Sequence, residues 1–287
     1  ARRGWADGML VHVTSRRGSI LLPVRGAEAV APAQAFIAMH WGEEFLSGRA
    51  SAGARLAGVN VLMPSAVCPQ SQQPELKHAA VQIEKLDLPY PLAVVRSCDT
   101  QPEALEMMQR ARALLAAFPY ATLGLYGRKR PLVVFRAAAA TATDATMIAA
   151  LDRLFGMAGD DGAIIYADAA RKVSKKAIAL NGRLLGVRLA GETLAQTWLK
   201  RAMAEDELDA SLIRLALAPS ARPPVTMAPR NIICKCADVS DVQIHKELAA
   251  GANLSGLQDK LKCGTFCGSC VPDIKRLVAE YDTQQAA

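Results

Sequence analysis

Short runs of alternating apolar and polar positions open the chain. Residues 9–14 and 19–24 read as two strands, and Ser15-Arg16-Arg17-Gly18 between them reads as a hairpin turn carrying two guanidinium groups. Apolar runs at 35–39 and 59–62 follow, then residues 64–74, where prolines and glutamines occur without a period. Many short strands separated by irregular loops predict a small β-barrel over residues 1–86. The rhythm changes at Leu88-Pro89-Tyr90-Pro91. Residues 92–96 read as a strand, after which Leu105, Met108, Ala111 and Leu115 share one face of a helix. Residues 121–126 and 132–135 flank a glycine- and proline-bearing turn. Met147, Ile148, Leu151, Leu154 and Phe155 then mark a second helix that stops at Gly156. Residues 176–180 and 183–189 flank Asn181-Gly182, the strongest short hairpin signal in the chain, and a helix is expected over 194–203. Residues 87–218 thus read as an α+β domain, with no phosphate-type glycine loop and no nucleophile–base pair.

Pro219, Pro223, Pro224 and Pro229 predict a semi-extended linker over 219–230. Beyond it, Ser240 with Gln243 and Ser255 with Gln258 both fit the S-x-x-Q capping pattern, predicting two short helices that end at Gly251 and near Cys263. Pro272 opens a last helix with Ile274, Leu277, Val278 and Tyr281 on one face. The fold class expected from this pattern is multidomain α+β.

Composition narrows the picture a little. A chain of 287 residues is long enough for two or three cores. Its 51% hydrophobic and 21% charged residues are those of globular protein, which excludes wholesale disorder. No uninterrupted apolar run approaches the eighteen or so residues of a membrane span, so no membrane partner is expected. The chain opens at Ala1 without Met, and a fragment or processed chain is expected. The net charge of +7 is uneven: residues 231–287 hold six Lys/Arg against seven Asp/Glu, leaving 28 against 20 elsewhere. No helix-turn-helix, RNP or finger pattern accompanies the basic part, so nucleic acid is not expected as a partner. Arg171, Lys172, Lys175 and Lys176 read as a solvated face, with a site for an acidic electron carrier as the alternative.

The chemistry concentrates near the end. Cys234 and Cys236 form a C-x-C pair, and thirty residues later Cys267 and Cys270 form a C-x-x-C pair. Close thiol pairs select soft metal centres: iron–sulfur clusters, zinc or Cu(I). Three features favour a cluster over zinc. Glycines in the run 262–270 let backbone N–H groups approach inorganic sulfide. The following helix brings its positive end near the last thiol. Zinc pairs more often space both partners by two to four residues. A zinc knuckle or four buried thiols without metal remain the alternatives. Cys263 reads as a spare thiol, Cys68 and Cys98 as small buried hydrophobes. In the first region Arg16, Arg17, His40, Asn60, Gln72, Gln73 and Lys77 supply loop donors suited to a phosphate-bearing ligand, or merely to solvent.

Two resemblances sharpen these readings. C-x-C, a helical spacer and K-C-G-T-x-C-G-S-C-x-P resemble the bacterioferritin-associated-ferredoxin type of 2Fe-2S domain, over about residues 231–282. This implies Cys234, Cys236, Cys267 and Cys270 as the cluster ligands. The strings D-G-x-L-V-x-V-T-S-R-R-G-S, H-W-G, G-V-N-x-L and Q-P-E-L-K-x-A-A-V, spanning residues 5–84, resemble the molybdopterin-dinucleotide-binding C-terminal domain of the DMSO-reductase superfamily. That domain is a six-stranded double-psi barrel. The resemblance implies that Asn60 and Lys77 touch the guanine dinucleotide, that His40 and Trp41 lie at the pterin side, and that the turn Ser15, Arg16, Arg17 and Gly18 lies nearby. Residues 166–192 are faintly similar to the C-terminal interface domain of pyridine-nucleotide-disulfide-type reductases.

Within the superfamily the pattern is most similar to assimilatory nitrate reductase catalytic subunits. The resemblance implies a C-terminal portion of a cytoplasmic molybdenum oxidoreductase that reduces nitrate to nitrite. It would bind Mo-bis(molybdopterin guanine dinucleotide) together with a missing N-terminal part, where a 4Fe-4S cluster is also expected. A flavoprotein reductase, ferredoxin or flavodoxin would deliver electrons through the 2Fe-2S cluster. A sister enzyme such as a formate dehydrogenase, or a non-catalytic 2Fe-2S docking module, are the alternative readings.

Overall fold

The computed structural model describes residues 4–26, 30–38, 42, 48–50, 58–75, 78–127, 130–159, 162–205, 215, 217 and 231–285. His40, Trp41, Lys77 and the proline-rich stretch 219–230 lie outside the described residues. The chain divides into two compact units, Ala1–Arg222 and Pro223–Ala287. The described residues form a mixed α/β structure with antiparallel sheets and six α-helices.

In the first unit, β1 (Leu10–Thr14) and β2 (Gly18–Pro23) pair from Leu10↔Pro23 to Thr14↔Ser19. The turn between them closes through the Ser15 N–H donating to the Gly18 carbonyl at 2.9 Å. β3 (Gly48–Ala50) adds to β2 and β4 (Gln82–Lys85) to β1. Strand alternation puts Val11, Val13 and Ile20 on one face, where they bury against Val61 and Leu62. Residues Val59–Leu62, grouped with the strands by their apolar run, form a 3-10 turn instead. It buries Val59, Val61 and Leu62 and leaves Asn60 exposed.

A second sheet has the order β6-β7-β5-β10-β9-β8. Its strands are β5 (Tyr90–Ser97), β6 (Tyr120–Tyr126), β7 (Leu132–Ala139), β8 (Ala163–Asp168), β9 (Val173–Leu180) and β10 (Arg183–Ala190). Helices α1 (Gln101–Ala111) and α2 (Ala145–Leu154) close a core on Leu92, Val94, Val133 and Phe135. There Phe118 and Phe155 meet the Phe135 ring at 5.8 and 6.3 Å. Helix α3 (Gln196–Glu205) packs on β5, β7 and β10 and buries Trp198, Leu199 and Ala202. The inner face of α1 is Ala104, Met108 and Ala111, whereas Leu105 is 47% exposed. A small side chain at 104 lets the helix sit close to the sheet, and the longer Leu105 is turned outward.

The expected solvated face at 171–176 is half wrong. Arg171 and Lys172 are exposed, but Lys175 and Lys176 are buried. β9 runs between β8 and β10, which pairs its backbone on both edges. Lys175 pairs with Glu192, and on β10 the buried Arg188 Nε lies 2.7 Å from Asp152 Oδ1. Buried cations persist only with such partners.

The second unit begins with a short antiparallel pair, β11 (Ile232–Cys234) and β12 (Val239–Ser240). Helix α4 (Asp241–Ala249) starts at the expected capping box of Ser240 and Gln243. Helix α5 (Leu254–Leu261) is capped by Asn253, whose Oδ1 accepts from the Gly256 N–H at 3.0 Å; Ser255 lies within the helix and is not the cap. Helix α6 (Val271–Gln285) follows. Val239, Ile244, Leu248, Leu257, Ile274 and Leu277 form one core, and Cys234, Cys263 and Cys270 are part of it.

Candidate metal centre

The two cysteine pairs come from opposite ends of the α4–α5 spacer. Cys234 ends β11, and Cys236 lies in the turn that returns the chain to β12. Cys267 and Cys270 lie between α5 and α6, and the Cys270 carbonyl accepts the Ile274 N–H of α6 at 3.0 Å. The thiols meet across the spacer: Cys236 Sγ and Cys267 Sγ are 3.4 Å apart, and Cys234 hydrogen-bonds Cys270. None of the seven cysteines is in a disulfide.

Each cross-pair holds one depressed and one elevated thiol. The Ser269 hydroxyl and N–H, with Cys236, pull Cys267 down to about 7, while the hydrogen bond to Cys267 pushes Cys236 up. Burial, then Cys234, pushes Cys270 up to about 11. Burial also acts to raise Cys234, but N–H groups of Gly264, Ala237 and Cys236 and the Cys270 thiol outweigh it and bring it down. One depressed thiol per pair, served by backbone amides, is the arrangement expected where anionic sulfur must be stabilised.

Gly264 is central to this cradle. Its N–H serves both Cys234 and Cys270, and it adopts φ +76°. A Cβ there would lie 2.9 Å from Val271 Cγ2, so no side chain fits without displacement. Cys263 is fully buried, and its thiol faces the Leu257 carbonyl at 3.6 Å.

Among the described residues no three His, Cys, Asp or Glu side chains gather as ligands of a single ion. The thiols converge as two pairs instead. A 2Fe-2S centre takes two thiolates on each iron, whereas a structural zinc needs its four ligands in one tetrahedron. The donor set fits the two-iron group. Ser269 was not singled out from the sequence; its signal is a hydroxyl inside the C-x-x-C pair.

In the first unit the residues matched to the dinucleotide site are partly visible. Ser15 is half-buried, Gly18 is buried, and Arg16, Arg17 and Asn60 are exposed. Arg17 Nη1 donates to Ser65 Oγ at 3.3 Å, tying the hairpin turn to the segment that follows Asn60. In the middle region Tyr166, Arg171, Val173, Gly191 and Glu192 line a cavity of about 270 Å³.

Comparison with known proteins agrees with both ends of the chain. Residues 1–80 match the molydopterin dinucleotide binding domain family, and residues 232–280 match the BFD-like 2Fe-2S binding domain family. A nitrate reductase of Klebsiella oxytoca is 29% identical over 290 residues, covering 95% of this chain and 28% of that protein. A nitrate reductase of Synechocystis sp. (strain ATCC 27184 / PCC 6803 / Kazusa) is 46% identical over 69 residues, 24% of this chain and 8% of that protein. No solved structure matches. The chain therefore spans little more than a quarter of the length of the Klebsiella relative. It carries a molybdopterin-dinucleotide domain and a 2Fe-2S domain, and nearly all of it is similar to part of a nitrate reductase.

Proposed function

We propose that this chain is the C-terminal portion of a cytoplasmic molybdenum oxidoreductase that reduces nitrate to nitrite. The observation that carries the reading is the pairing of thiols across the spacer, on a chain similar along 95% of its length to a nitrate reductase. Cys234, Cys236, Cys267 and Cys270 would hold the 2Fe-2S cluster, Ser269 and the Gly264 N–H stabilising their sulfurs. Residues 1–86 would be the double-psi barrel and 219–230 a linker to the cluster domain at 231–287. In the barrel Asn60 and Lys77 would bind the dinucleotide, with Ser15, Arg16, Arg17, Gly18, His40 and Trp41 around the pterin. Arg17, braced by Ser65, suits a phosphate there. Residues 87–218 would form an interface domain.

When bound, the 2Fe-2S cluster supplies electrons one at a time to molybdenum, which carries out the two-electron chemistry. The chain's own residues hold the sulfurs in an amide cradle and fix the dinucleotide. The test uses the full-length protein with Cys267→Ser. Nitrate reduction driven by a protein donor is expected to be lost, and reduction driven by a viologen that reaches molybdenum directly is expected to survive. Unchanged donor-driven reduction would favour the docking-module reading, and a full-length protein active on formate but not nitrate would favour the sister enzyme.

A further inference from the structure

The four paired cysteines differ in depth. Cys234 and Cys270 are buried, Cys236 is half-buried and Cys267 is open to solvent. A centre held by the two pairs therefore presents its Cys236/Cys267 edge at the surface. Beside that edge Phe266 is 70% exposed, more than Ile232 or Val242, the other large exposed hydrophobics among the described residues of this unit. Burying this aromatic ring against a partner would remove its apolar surface from water, a favourable change.

Charge around the edge has a sign. Residues 234–238 and 262–270 contain Lys235 and Lys262 against one acid, Asp238. Both lysines are exposed. The other acids of the unit lie on the helices, at Asp241, Glu247, Asp259, Asp273, Glu280 and Asp282. The loop is also set in place: Lys262 takes the left-handed conformation at φ 57°, and Thr265 Oγ1 donates to its carbonyl at 2.8 Å. An apolar anchor with cations at its rim is how an interface combines a hot spot with electrostatic steering.

We propose that the Cys236/Cys267 edge is the docking surface for a small acidic one-electron carrier protein. Phe266 enters the interface as its anchor, and Lys235 and Lys262 meet carboxylates of the carrier. The proposal rests on the reading that the four thiols hold a 2Fe-2S cluster. No bond is made or broken in the complex: the carrier gives up one electron and the chain's centre gains it.

The test is the affinity of the full chain, purified anaerobically, for an acidic flavodoxin, with iron and sulfide assayed in every sample. Phe266→Ser is expected to weaken binding about tenfold with iron content unchanged. Lys235→Glu with Lys262→Glu is expected to weaken it by a similar factor and to flatten its salt dependence. Basic cytochrome c should bind the native chain poorly and the charge-reversed chain better. Three results would overturn the docking surface: flavodoxin affinity unchanged by Phe266→Ser in iron-replete protein, tighter native binding to cytochrome c, or a dimer of the chain that Phe266→Ser dissociates. Native protein without iron would instead overturn the cluster reading beneath it.

Discussion

Cys98 and Cys68 look alike in the sequence and differ in the fold. Burial, followed by Glu103, pushes the Cys98 thiol up to about 11. The Ser71 hydroxyl, with the Ser71 and Gln70 N–H groups, draws Cys68 down, so this thiol is not the buried hydrophobe its apolar neighbours suggest. Thiolate, not thiol, reacts with alkylating agents. Iodoacetamide at pH 8 should label Cys68 well before Cys98 in folded protein, and the two equally after denaturation; peptide mass spectrometry reads the order, and equal rates in the folded state would contradict it. Lys200 is pulled down to about 8, chiefly by burial and then by Arg136, although its Nζ stands 4.2 Å from the Tyr126 ring centre. A depressed lysine favours the fold above its ordinary value of 10.5, and that contribution is lost as pH falls through about 8. Lys200→Met should therefore raise stability at pH 7 by about 1 kcal/mol, with the gain shrinking towards pH 10.5. Urea unfolding at both pH values measures this; a gain independent of pH would contradict the charge-burial account.

At the scale of elements, local patterns were legible and choices between near-equivalent residues were not. The Ser240–Gln243 box is a purely local motif and starts α4 as expected. The same pattern at Ser255–Gln258 misleads, because Asn253 lies two residues earlier and is the one with extended backbone. Asn253→Ala should cost about 1 kcal/mol and Ser255→Ala only a few tenths, read from urea midpoints; the reverse order would restore Ser255 as the cap. Asn181-Gly182 was legible for the same reason as the first box: both residues take positive φ, at 51° and 73°, which few other pairs tolerate. The face of α1 was not, since a helical period fits Leu105 or Ala104 equally well and only the sheet beneath decides. The burial of Lys175 and Lys176 is a tertiary fact that no local window contains: Glu192, the partner of Lys175, lies seventeen residues further along the chain. Gly264→Ala belongs at this scale too: left-handed backbone and the contact with Val271 should destabilise the second unit by about 1–2 kcal/mol and lower its iron content.

At the scale of the whole molecule, the sequence identifies the thiols, and the fold shows how they pair. Spacing alone groups Cys234 with Cys236 and Cys267 with Cys270, whereas folding joins Cys236 to Cys267 and Cys234 to Cys270. The dinucleotide end is less complete, because His40, Trp41 and Lys77 lie outside the described residues and only Asn60 and the turn from Ser15 to Gly18 are described. Among the described residues no helix is long and apolar enough to cross a membrane. The central claim is that the paired thiols hold two irons, and its most direct test is iron and acid-labile sulfide analysis of anaerobically purified chain with low-temperature EPR after dithionite reduction. The account predicts about two irons and two sulfides per chain and a reduced-cluster signal that Cys267→Ser abolishes. One zinc per chain with no labile sulfide would contradict it and leave the second unit without a redox role.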